Sequence, residues 1–182
     1  QVNEDSRIVK TYTFVNGRYD VDVSYRFEKM ENVIANYEYQ VTWENGLQYA
    51  AHNSIDESGF ALASAYAGGE LTEIDASNLN ENVQETISGK IDWVAMRNKY
   101  FAVAIIPRNK ETQGAFLEGT SMATPDQGQK EDYSISLKNQ FLGSELELSR
   151  FTIYLGPLDF NTVKSYNVGL DEMMSLGAVF II

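Results

Sequence analysis

Apolar and polar residues alternate with a period of two along most of this chain, and that pattern confines it to extended structure. Tyr19, Val21, Val23, Tyr25 and Phe27 are interleaved with Asp20, Asp22, Ser24, Arg26 and Glu28. Such a segment has one face for a core and one for water, as in a half-buried antiparallel strand. Tyr37, Tyr39, Val41 and Trp43 repeat the pattern. So do Tyr133, Ile135 and Leu137, and again Phe151, Ile153 and Leu155. Residues 8–14, 60–67, 71–74, 93–96 and 100–106 complete the set of expected strands, the last stopped by Pro107.

Turn chemistry punctuates these runs. Asn16-Gly17 and Asn45-Gly46 supply residues that tolerate positive φ, and Gly68-Gly69 does the same between two short strands. Many short strands separated by such turns predict a sandwich of two antiparallel sheets. Helix is scarce. One is expected at about 158–166, after Gly156-Pro157, with Asp159 or Asn161 placed to cap it. A second short helical turn is expected at 170–174. Residues 108–132 read as mostly loop, with one short strand at 115–117, and 124–132 is the most linker-like piece. No internal repeat or domain boundary is evident. The expectation is one domain over 1–182, with the sandwich at about 1–157 and a C-terminal helical segment at about 158–182.

Charge excludes several functions. Fourteen Lys and Arg against 26 Asp and Glu give a net −12. That balance opposes nucleic-acid binding, which requires clustered cations. Residues 30–89 contain no Lys or Arg and hold ten of the acids. Such a face repels anionic lipid or attracts a basic partner, and its plainer role is to keep a β-protein soluble. Without Cys the chain has no disulfide, thiolate metal site or thiol nucleophile. No calcium-loop motif, phosphate-binding glycine loop or membrane-length apolar run occurs, and no cofactor or metal is expected.

One motif invites a catalytic reading. Residues 119–125 read GTSMATP, similar to the serine-nucleophile motif of subtilisin-like proteases. That chemistry needs a His to take the serine proton and a carboxylate to orient it. The single His, His52, sits in AHNS, without the glycine-rich surroundings of the protease motif. The polar residues after Pro125 do not suit the buried helix that follows the serine in that family. A polar loop between strands is the expectation for Ser121. His52, with Asp56 four residues on, reads as a surface histidine more readily than as a general base. No pair of the many carboxylates stands out for glycoside hydrolysis.

Three blocks carry a family resemblance: KTYTFVNGRYDVDVSYRFE at 10–28, GKIDWVAMRNKYFAVAIIP at 89–107, and YLGPLDFNTVKSYNVGLDEMMSLGAVFII at 154–182. Together they resemble the large periplasmic domain of the YidC membrane-protein insertase family. The WVAMRNKYF and YLGP blocks, in this order, are the specific part, and the acidic middle matches loosely. The resemblance implies an antiparallel β-supersandwich, galactose-mutarotase-like, packed on a short C-terminal helical segment. It also implies a place in the bacterial periplasm, tethered between membrane helices of an inner-membrane protein. Membrane-protein clients are its implied partners, with Sec translocon components further candidates. The apolar run Ala178-Val179-Phe180-Ile181-Ile182 reads as the approach to a membrane helix or as a last buried strand.

Mutarotase catalysis uses histidines and a glutamate, and one His cannot supply that set, so fold likeness does not import the activity. A non-catalytic accessory module is the favoured expectation. A carbohydrate-binding or mutarotase-like enzyme and a Ser121 hydrolase are the alternatives. Leu158, Phe160, Val163, Tyr166, Leu170, Met173 and Met174 are expected to dock the tail on the sandwich. Tyr37, Tyr39, Trp43, Tyr49 and Tyr66 are candidates for an aromatic groove, and their alternation equally suits a core.

Overall fold

The computed structural model describes residues 5–49, 57–125 and 128–174. Strands dominate it, in chain order β1 (Arg7–Phe14), β2 (Asp20–Glu28), β3 (Glu38–Trp43), β4 (Leu62–Ala67), β5 (Glu70–Ile74), β6 (Asn82–Ser88), β7 (Trp93–Arg97), β8 (Phe101–Pro107), β9 (Thr112–Ala123), β10 (Gln129–Gln140) and β11 (Leu146–Pro157). Helix α1 (Phe160–Lys164) and a 3₁₀ turn (Leu170–Met174) follow, and a further 3₁₀ turn (Ala35–Tyr37) precedes β3. The strands form a seven-stranded sheet, ordered β1-β2-β11-β8-β7-β4-β5, and a four-stranded sheet, ordered β3-β10-β9-β6. Every pairing described is antiparallel. The fold is the all-β antiparallel sandwich with a short C-terminal helical segment that the alternation predicts.

The core lies between the sheets. Val21, Val23, Val94, Met96, Val103, Ile105, Phe151 and Ile153 of the larger sheet meet Val41, Ala115, Leu117, Ile135 and Leu137 of the smaller. Removing that apolar area from water is the main favourable term. The expected turns form as read: Gly17, Asn45, Gly46, Gly68 and Gly69 all have positive φ.

The chain departs from expectation in its middle. Residues 108–132 are not mostly loop: β9 and β10 form a long hairpin there, with Glu131 opposite Ser121 and Leu137 opposite Ala115. The linker-like stretch 124–132 shrinks accordingly, because 129–132 already belong to β10. Small inward side chains at 115, 119 and 121, around the one large residue Leu117, conceal β9 in the sequence. Gly119 faces inward, where a Cβ would lie 2.6 Å from the Tyr133 ring, so the large residue stands on the neighbouring strand. β6 is a further strand without a regular alternation in the sequence. Its half-buried Val83 and Ile87 flank the exposed Glu85, which breaks the alternation.

Candidate interaction faces

The larger sheet buries part of its outer face as well. Trp93, Ala95, Ala102, Ala104, Ile106 and Tyr154 point away from the main core and are capped by Val163, Leu170 and Met173 of the tail. Local sequence sets this tail. Asp159 in extended conformation accepts the Thr162 backbone N–H at 2.8 Å, starting α1 as an N-cap. Gly169, at φ +70°, lets the backbone lie on Tyr66, where a Cβ would approach the ring to 2.9 Å. Tyr66 in turn stacks on Trp93 with centroids 5.4 Å apart.

Polar contacts fix the tail's register. Trp93 Nε1 donates to the Val168 carbonyl at 3.0 Å, and the Tyr166 hydroxyl donates to Asp20 Oδ1 at 2.9 Å. Asp20 also receives Arg18 Nε at 2.9 Å. Burial alone pushes the Asp20 carboxyl up, but the bonds from Arg18 and Tyr166 outweigh it and hold the pKa below its ordinary value. Of the expected docking residues, Val163, Leu170 and Met173 are fully buried, and Leu158, Tyr166 and Met174 are partly buried against them. Phe160 lies at the start of α1 with Lys164 over its ring.

The aromatic candidates do not share a groove. Tyr66 belongs under the tail, on the sheet's far side. Tyr37 is half exposed and stacks on Phe141. Tyr39 packs on Phe27 at 4.8 Å and donates to Ser149 Oγ. Burial raises its pKa to about 12. Trp43 packs against the core. The Tyr49 hydroxyl accepts the Glu131 backbone N–H at 3.0 Å.

An open side exists elsewhere. Ile8, Lys10, Tyr12 and Phe14 of β1 pair with Phe27, Tyr25, Val23 and Val21, so they stand on the core-facing side of their sheet. The smaller sheet does not reach beneath them: Tyr12 is 52% and Phe14 74% exposed. A cleft of about 460 Å³ lies between β1–β2 and β3, with Ile8, Lys10, Tyr25 and Phe27 on one wall and Tyr39 and Val41 on the other. The alternation of β2 pointed to this side, but no local signal says that the partner sheet ends short of β1.

Ser121 lies in β9 rather than in a loop, directly across from Glu131. It is buried, and its Oγ has no hydrogen-bond partner among the described residues. His52 lies outside the described residues, as do residues 178–182. Among the described residues no group of His, Asp and Glu is disposed to hold a metal, and no helix is long and apolar enough to cross a membrane.

A sandwich with part of one outer face sealed by its own tail, and one core-facing strand left open, is a β-sheet module built around surfaces. Comparison with known proteins makes the assignment specific. The family described as YidC periplasmic domain matches residues 1–182. "Membrane protein insertase YidC" of Chlorobium limicola is 41% identical over 177 residues, covering 97% of this chain and 30% of that protein. The protein of the same name from Chlorobaculum parvum is 41% identical over 168 residues, covering 92% and 28%, and that of Chlorobaculum tepidum is 40% identical with the same coverage. The chain belongs to the YidC periplasmic domain family. It spans somewhat less than a third of the length of these relatives.

Proposed function

We propose that the chain acts as a non-catalytic periplasmic module of a bacterial inner-membrane insertase and chaperone, assisting the insertion and folding of membrane proteins. Its task is to bind and position rather than to transform. The observation that carries this reading is the sealed tail. Val163, Leu170 and Met173 are completely buried against Trp93 and Tyr154. Each such burial contributes roughly 1.5–3 kcal/mol. The direction in which the chain leaves Met174 is therefore tied to the sandwich. The chain is one unit in this reading: a sandwich to about residue 157 and a docked helical segment from about 158. Client segments of membrane proteins are its partners, with Sec translocon components as further ones. The free edge of β1 suits an extended client by strand addition.

The test uses the full-length insertase. Leu170→Ser with Met173→Ser loosens the tail, whereas shortening the β9–β10 connection at 125–128 leaves it docked. Client insertion into proteoliposomes should fall several-fold for the first and stay unchanged for the second. Equal insertion by both would remove the positioning role.

A further inference from the structure

The outer face of the larger sheet changes character where the tail stops covering it. Beyond Tyr154 and Ile106 the outward residues become Thr152, Asp22, Ser24 and Arg150, followed by Arg108 after β8. Arg18, Arg108 and Arg150 line one concavity of about 630 Å³ there, together with Thr13, Ser24 and Thr152. Arg18 and Arg108 extend into an adjoining hollow walled by Asn161, Thr162 and Ser165 of the tail. Three of the chain's 14 cations thus gather around one hollow in a protein of net charge −12.

Their pairing is unusual. Arg18 is matched by Asp20. Arg108 and Arg150 have no carboxylate within ion-pair distance among the described residues. Arg108 is nevertheless fixed in place. Its backbone N–H donates to the Arg150 carbonyl at 2.9 Å, and its Nε donates to Thr152 Oγ1 at 2.8 Å. The Thr152 hydroxyl in turn donates to Asp22 Oδ1 at 3.0 Å, which sets its direction. Asp22, the carboxylate among the residues lining that concavity, accepts from Thr152 and faces Arg18 rather than forming an ion pair with Arg108 or Arg150.

We propose that this hollow is a binding site for a tetrahedral oxyanion of the phosphate class, free or carried on a lipid headgroup. Guanidinium groups suit it, because their planar forks bond two oxygens at once. Ser24 and Thr13 add hydroxyl donors. The acidic remainder of the chain does not forbid the site. Screening at physiological salt acts over about 8 Å, so distant carboxylates are muted while the arginines at the ligand are not. The site does not depend on the tail's positioning role.

The test is titration of the protein with inorganic phosphate, and separately with phosphatidylcholine vesicles with and without phosphatidylglycerol. Arg108→Gln/Arg150→Gln is compared with Lys138→Gln, a cation of the opposite sheet. Saturable binding at millimolar or lower concentration is expected, weakened at least tenfold by the double variant and unaltered by Lys138→Gln. Binding of phosphate alone identifies the free ion. Binding of phosphatidylglycerol vesicles, alone or with phosphate, identifies the headgroup. Absence of saturable binding in both arms, or equal binding by the double variant, overturns the proposal.

Discussion

Trp93 Nε1 donates to the carbonyl oxygen of Val168 at 3.0 Å, joining the centre of the larger sheet to the chain that crosses it. The indole is completely buried and stacked beneath Tyr66. Trp93→Phe keeps most of the packing and deletes the donor, leaving the Val168 carbonyl without it. The expected cost is about 1–3 kcal/mol, combining the lost bond with a small void. Hydrogen exchange should rise at 160–174 and stay unchanged in β9 and β10. Uniform protection in both regions would show that the tail is held without this bond.

Asp20 provides the second tether. Tyr166→Phe removes one of its charge-assisted bonds but leaves Arg18 in place, so a loss of about 1–2 kcal/mol is expected in urea unfolding. Because the Asp20 pKa is lowered in the folded chain, its contribution is present above the ordinary carboxylate value. It fades as pH falls through the lowered one. Acid titration should therefore detach the tail, and Asp20→Asn should flatten that part of the profile.

Glu131 behaves in the opposite sense. It is 3% exposed and accepts the Tyr133 hydroxyl at 2.7 Å and Gln129 Nε2 at 3.1 Å. Burial, aided by the nearby charges of Asp75 and Glu81, raises its pKa to about 7. The folded state thus holds a proton that the unfolded chain releases near the ordinary glutamate value. Stability from this group is complete below that value and is lost as pH rises through about 7. The change amounts to roughly 2–3 kcal/mol. Melting temperature should fall between pH 5 and pH 8, and Glu131→Gln should remove most of that slope. A slope unchanged in the variant would assign it to other groups.

Legibility followed from how far each structural decision is local. The β2 alternation, the Gly68-Gly69 hairpin and the Asp159 cap are written in a few adjacent residues. The 170–174 turn is equally local, whereas the sequence leaves the cap open between Asp159 and Asn161 and the structure selects Asp159. β9 is hidden because its inward positions other than Leu117 are small: Gly119 makes room for Tyr133, ten or more residues away along the hairpin. The tail's apolar residues were readable, but the sheet face that receives them was not: Trp93 opens a run apolar on both faces and Tyr154 stands between the alternating Ile153 and Leu155, so neither says which face is outer. The proposed aromatic set assumed one face for Tyr39 and Tyr66, and which side of a sheet a strand presents is decided only by the assembled topology. The arginine hollow combines positions 18, 108 and 150, which no window along the chain connects.

Ser121 offers a decisive contrast between motif and environment. Its Oγ is buried without a hydrogen-bond partner among the described residues, and its backbone N–H is already spent on the Glu81 carbonyl at 3.0 Å. A nucleophile needs a base in reach and an open approach, and the residue across the ladder is Glu131, whose Oε2 accepts the hydrogen bond of the Tyr133 hydroxyl. An unpartnered buried hydroxyl costs desolvation and returns little. Ser121→Ala should therefore leave stability unchanged or raise it by up to about 1 kcal/mol in urea unfolding. A fluorophosphonate probe should leave Ser121 unlabelled under conditions that label a serine protease. Labelling at Ser121, abolished by the alanine variant, would restore the hydrolase reading and displace the binding one.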